Sequence, residues 1–286
     1  MALPMEAYRG TAAGVPFVAL PPATGGRAGA PAVVAWHLNT PPRTERALAA
    51  ALPLAGLDAW RLYLGVPMCG SRPLPGGDEE LLRRLVADAV LAVYEPMTAC
   101  AAAEFPAAWA DLRARFDLAA EPAALLGGSI GGSVAARVAL DRAVPLDALV
   151  LISALIRPHP AITALARQAG TTYTWSPESR AAAGRLDLVA RAGELAARGE
   201  PAVLLVVGER DLAEAFLAPA AELRAALAHR YRDPARVALA TVPAMGHAFA
   251  DDPGYEPAPQ TPDAAAGDAI ATDWLRRHLA TARSDA

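Results

Sequence analysis

Residues 125–140 read LLGGSIGGSVAARVAL: a short apolar run, one serine with a glycine pair on each side, then an alanine-rich helical pattern. The segment GGSIG at 127–131 fits Gly-x-Ser-x-Gly where a strand passes directly into a helix, the context that gives this spacing its meaning. In such a turn the serine backbone is strained, and the residues two before and two after it approach too closely for side chains. The turn lifts Ser129 Oγ above a sheet at the start of a helix. Free N–H groups and the helix dipole favour a developing negative charge there. Ile130 N–H is the expected first oxyanion donor. A dinucleotide loop is the competing use of such glycines, but GGSIGG does not fit Gly-x-Gly-x-x-Gly and no phosphate-gripping lysine follows.

Lysine is absent altogether, so all 26 basic residues are arginine. That removes Schiff-base chemistry and serine–lysine dyads. The formal net charge is −4 and the arginines are scattered, which argues against a nucleic-acid partner. The first ten residues, MALPMEAYRG, hold no basic segment followed by an apolar core, so no secretory leader is expected. No run approaches the ~18 apolar residues of a membrane span, and no membrane partner is expected. Cys69 and Cys100 read as reduced thiols of a cytoplasmic protein. Richness in alanine, arginine and proline without lysine suggests a GC-rich bacterial source.

With 286 residues, 54% hydrophobic and 20% charged, one large globular domain covering 1–286 is expected. Residues 4–10 and 15–20 read as a hairpin, and PAVVAWHL as a buried strand. Strands and helices then alternate: helix 43–52, strand 59–64, helices 78–94 and 97–116, strand 123–126, a helix to 142 and the strand LDALVLISAL. The segment 156–199 differs in texture, with Pro158 and Pro160, the polar aromatic patch TTYTWSPES and two short alanine and arginine helices. It reads as an inserted cap. The pattern resumes with strand PAVLLVVGERD, helix 219–229, strand RVALATV and helix 262–279. Such alternation forces mostly parallel strands with helices on both faces and a site at the carboxyl ends of the strands.

In element order and in its GGSIG turn, the chain resembles the α/β-hydrolase superfamily, with a layout similar to bacterial carboxylesterases and dienelactone-hydrolase-like serine hydrolases. The resemblance implies an eight-stranded, mostly parallel sheet with a small helical cap. It also implies a nucleophile, acid and histidine in that chain order. Asp211, at the Gly-x-x-Asp spacing that the superfamily shows after its seventh strand, is the leading acid; Glu209 is its nearest competitor. The alternative for Asp211 is a helix N-cap. His247 in VPAMGHAF lies past the last strand, where the superfamily carries its base. His229 and His278 read as surface, and His159 as a rigid cap turn. His37 sits where the superfamily writes His-Gly before an oxyanion donor, and reads as scaffold. Leu38 replaces that glycine, so Leu38 N–H is the expected second donor, with Asn39 as alternative.

These residues imply attack of Ser129 on a carbonyl carbon, with His247 as base and Asp211 orienting it. No metal and no cofactor is required. Asn39, Met68, Cys69, Tyr173 and Trp175 are the expected lining of an apolar pocket for a small or medium acyl ester or thioester. The alternatives are a thioesterase, an acyltransferase, cyclase or lyase of secondary metabolism, and a ligand-binding pseudoenzyme. Monomer and homodimer both stay open.

Overall fold

The computed structural model describes residues 7–25, 28–142 and 144–279. Eight strands form one sheet: β1 (Tyr8–Ala12), β2 (Val15–Leu20), β3 (Ala32–Trp36), β4 (Trp60–Leu64), β5 (Ala124–Gly128), β6 (Ala148–Ile152), β7 (Ala202–Gly208) and β8 (Val237–Val242). Their spatial order is β1-β2-β4-β3-β5-β6-β7-β8. Only the two pairings of β2 are antiparallel; β3 to β8 run parallel, as expected from long helical crossovers. This is the α/β-hydrolase fold. The expected first strand, 4–10, starts later, at Tyr8, and residues 4–6 lie outside the described residues.

Side chains alternate between two apolar layers because successive strand residues point to opposite faces. On β3, Val34 and Trp36 face one layer, and Val33 and Ala35 the other. The first layer also takes residues of α3 (Glu95–Phe116), α4 (Ile130–Asp141) and α8 (Ala218–Ala228). The second takes residues of α1 (Glu45–Ala51) and α9 (Pro262–His278). The central strands are buried on both faces, which explains their unbroken runs of Ala, Val, Leu and Ile.

The helix expected over 78–94 is two pieces, α2 (Gly77–Ala89) and a π-helical turn at Val90–Tyr94. Asp88 is extended at φ −162°, ψ 98°, and its Oδ1 accepts from Leu91 N at 2.8 Å, starting the new turn. By length and composition alone, the stretch Gly77–Phe116 is long and apolar enough to cross a membrane. Its second half instead buries Met97, Phe105 and Leu112 in the core. Segment 156–199 holds three helices where two were expected: α5 (Pro158–Gln168), α6 (Pro177–Arg185) and α7 (Ala192–Ala196). Ser176 and Ser179 cap the start of α6 reciprocally, at 3.0 and 2.9 Å.

The junction from β5 into α4 brings backbone against backbone. A Cβ built on Gly127 would lie 2.1 Å from Gly131 O, and one on Gly131 would lie 2.3 Å from Trp36 O and 2.5 Å from His37 O. Backbone meets backbone at these points, so no rotamer change relieves the clash. Gly131→Ala is therefore expected to lower unfolding free energy by at least about 2 kcal/mol in urea melts. Gly184→Ala, in an exposed helix with no atom within 4 Å of the new carbon, is expected to be neutral or to stabilise by up to about 1 kcal/mol.

Candidate active site

The packing at Gly127 and Gly131 fixes Ser129 between β5 and α4. Its backbone sits at φ 48°, ψ −120°, a conformation that few non-glycine residues adopt. Ser129 N donates to Ile152 O on β6 at 2.9 Å, and Ser129 O accepts from Gly132 N at 3.0 Å. The Ser129 hydroxyl stands at the helix start without capping it. It lies instead 2.9 Å from His247 Nε2.

The loops after β7 and β8 bring the other two side chains to the same place. They are stitched together at their bases: Glu209 N donates to Val242 O at 3.0 Å, and Arg210 N to Met245 O at 2.9 Å. Asp211 Oδ1 accepts from Leu212 N at 2.8 Å, while Oδ2 lies 3.0 Å from His247 Nδ1. One oxygen thus meets the local turn and the other meets the imidazole. The Asp211 side chain is 2% exposed, so its hydrogen bonds replace water almost completely. A proton on His247 Nδ1, held by the carboxylate, leaves Nε2 as acceptor for the Ser129 hydroxyl. The Phe216 ring lies 4.2 Å from the His247 ring, centroid to centroid, and packs against it at a tilt of 33°. Glu209 is exposed, and its Oε2 accepts from Ala244 N at 3.1 Å, away from the imidazole.

Above Ser129 is a cavity of about 160 Å³, lined by Asn39, Thr40, Val93, Tyr94, Met97, Ile130, Leu155, Leu165 and Phe216 together with Ser129 and His247. Of the five expected pocket residues only Asn39 lines it. Leu38 is turned inward and fully buried, and a Cβ on Gly128 would meet its Cδ1 at 2.3 Å. Arg43 Nη1 donates to Asn39 O at 2.7 Å and fixes the orientation of that peptide. Among the described residues, no group of three or more His, Cys, Asp or Glu side chains is placed to hold a metal ion.

Met68, Cys69 and Trp175 correct the pocket expectation, while Tyr173 lines not this cavity but a neighbouring groove between α2 and α5. The loop after β4 folds back on itself: Met68 bridges to Pro73, and Arg72 N donates to Cys69 O at 2.9 Å. The loop thus braces the Asn39–Arg43 segment from behind, and a Cβ on Gly70 would lie 2.2 Å from Arg43 O. Cys69 is buried and its thiol is pushed up to about 12 by desolvation, so it carries no thiolate chemistry at neutral pH. Tyr173 donates to Asp88, and Trp175 stacks on His159 at 4.3 Å and donates to Thr163 Oγ1 at 3.1 Å. These cap aromatics satisfy one another and α2. Val93, Tyr94 and Phe216, which the sequence reading missed, are carried by the two π-helical turns, Val90–Tyr94 and Ala213–Leu217. Burial pushes the Tyr94 phenol up to about 12, so it faces the cavity neutral.

No protein-family profile and no curated protein sequence matches this chain. Solved structures do match in fold. TT1662 from Thermus thermophilus is 21% identical at a TM-score of 0.59, covering 94% of this chain and 98% of that one. The esterase domain of a Rhodothermus marinus protein is 16% identical at 0.57, over 96% of this chain and 98% of its own. A hormone-sensitive lipase from a metagenome library is 17% identical at 0.53, over 96% and 86%.

His37 precedes Asn39 in the same loop and does not line the cavity. It is fully buried, with Nδ1 2.7 Å from Leu38 O and Nε2 accepting from Val66 N at 2.9 Å. A ring that donates at Nδ1 and accepts at Nε2 is neutral. Desolvation holds its pKa below the ordinary histidine value, against weaker opposition from the Leu38 carbonyl and Glu45. The native state therefore takes up a proton later than the unfolded chain as pH falls. Stability from this group is complete above pH ~6.5 and declines below it, at no more than about 1.4 kcal/mol per pH unit. His278, lowered by partial burial and by Arg236 and Arg277, adds slope of the same sign. Urea melts between pH 7.5 and 5.5 are expected to show this loss, and His37→Gln to flatten it; an unchanged slope in the variant would refute the buried neutral ring.

Proposed function

We propose that the protein is a serine hydrolase that cleaves the carboxylic ester of a small or medium acyl group through an acyl-enzyme. The observation that carries the reading is the unbroken line from Asp211 Oδ2 through both nitrogens of His247 to Ser129 Oγ, at 3.0 and 2.9 Å. The names of two fold relatives, an esterase domain and a hormone-sensitive lipase, agree with it.

Ser129 Oγ attacks the carbonyl carbon as its proton passes to His247 Nε2. Asp211 stabilises the resulting imidazolium. The carbonyl oxygen becomes an oxyanion and is held by Ile130 N–H at the start of α4, where the backbone donors lack intrahelical partners. We assign the second donor to Asn39 N–H rather than Leu38, because Asn39 lines the cavity with Ser129 and Ile130 while Leu38 packs beneath Gly128. Collapse of the intermediate expels the alcohol, which takes the proton from Nε2. Water then attacks the acyl carbon as its proton passes to the same nitrogen, and that proton returns to Ser129 Oγ as the bond to serine breaks and the acid leaves. A thioester fits the same steps with a thiol as leaving group. Cys69 and His37 take no part, one being a protonated buried thiol and the other a neutral buried ring.

Ser129→Ala and His247→Ala are each expected to reduce kcat/KM on p-nitrophenyl butyrate by at least about 10⁴-fold, with the melting curve retained. Asp211→Asn is expected to fall by a similar factor because it permits the wrong tautomer. The double variant Ser129→Ala/His247→Ala is expected to lose little more than either alone, since the two act as one unit. Activity that survives Ser129→Ala would refute the assignment.

A further inference from the structure

The cavity above Ser129 is too small for more than a short acyl group, yet a larger apolar groove begins at its wall. This groove, of about 370 Å³, lies between α2 and α5, and no charged side chain lines it. Tyr94 and Leu165 belong to both linings. A chain leaving the acyl carbon on Ser129 therefore has only to pass these two half-buried side chains to enter the groove.

The rim of the groove carries apolar surface that the fold does not use. Among the described residues, the large apolar side chains left exposed are Tyr8, Leu82, Val86 and Leu91, and three of the four lie on α2 and the π-helical turn after it. Leu82 and Val86, 61% and 74% exposed, are one helical turn apart on the same face and both line the groove. An exposed apolar strip beside an uncharged concavity marks a ligand surface.

We infer that this groove binds the unbranched alkyl tail of a medium-chain acyl group whose carbonyl is held at Ser129, an assignment that rests on the serine-hydrolase reading. The order of the chemical steps favours the acyl side over the leaving group. The alcohol must take its proton from His247, whose side chain is 24% exposed, so it departs toward solvent. The acyl part stays bonded to Ser129 while water enters and so needs a wall of its own. Neither His247 nor Phe216 lines the groove, which places it off the imidazole side of the cavity.

The test compares the acetyl and octanoyl p-nitrophenyl esters, and the methyl and octyl members of a phosphonofluoridate series that label Ser129, on the full chain and on Leu82→Gln/Val86→Gln. Both replaced side chains are largely exposed, so folding is retained. The wild type is expected to favour the octanoyl ester and the octyl label by about tenfold or more in kcat/KM and labelling rate, and the double variant to lose about tenfold of that preference. Turnover or labelling with no preference for the longer chain, or a preference that the double variant leaves intact, overturns the groove assignment while the serine-hydrolase reading stands. The same holds if the double variant instead changes only the sedimentation coefficient or adsorption to phosphatidylcholine vesicles. That result would give the strip to a second copy or to a lipid surface. Failure of every ester and every label in the wild type removes the serine-hydrolase reading and the groove assignment with it.

Discussion

The contact between the backbones of β5, α4 and the end of β3 governs the rest of the molecule. With Gly131 lying on Trp36 O and His37 O, and Gly127 lying on Gly131 O, the chain can only turn upward at Ser129 in a left-handed conformation. That conformation costs of order 1–3 kcal/mol and persists because the packing around it allows no other. The core layers on either side of the sheet hold the strands that make the contact. The strain is local, and its effect is directional: Oγ points at His247 rather than at its own helix.

A second constraint works through polar satisfaction. Asp211 and His37, the buried polar groups behind Ser129, each have hydrogen-bond partners. Asp211 accepts a backbone N–H and faces His247 Nδ1, and His37 is held neutral by the Leu38 carbonyl and the Val66 amide. The Leu38–Asn39 peptide, which carries the Asn39 N–H, is held at its carbonyl by His37 Nδ1, and the next carbonyl, Asn39 O, accepts from Arg43, whose own backbone N–H donates to Gly254 O at 2.7 Å. Prearranged dipoles of this kind need not reorganise as charge develops, which is where most electrostatic catalysis arises.

The parts legible in the sequence are those set by strand ends. Ser129, Asp211 and His247 each lie just past a strand of the parallel sheet, and a parallel sheet collects such positions at one edge. The sequence put Leu38 ahead of Asn39 as second donor, but which of the two faces the cavity depends on Leu38 packing under Gly128, and it is Asn39 that lines it. The pocket wall was not legible. Val93, Tyr94 and Phe216 lie in π-helical turns, where an added residue rotates the next helical turn by about 100° and breaks the 3.6-residue rhythm on which a helical face is read. Met68, Cys69 and Trp175 looked like pocket residues by composition, and their neighbours turned them elsewhere, whereas Tyr173 lines the groove between α2 and α5.

The central claim is that Ser129 Oγ forms a covalent bond to the acyl carbon. Rapid quenching of a p-nitrophenyl ester reaction in acid, with intact-mass and fragment mass spectrometry of the quenched protein, tests it most directly. A transient mass increase of one acyl group is expected, localised to Ser129 and absent from Ser129→Ala. An adduct on another residue, or ester turnover with no adduct at any quench time, would contradict it.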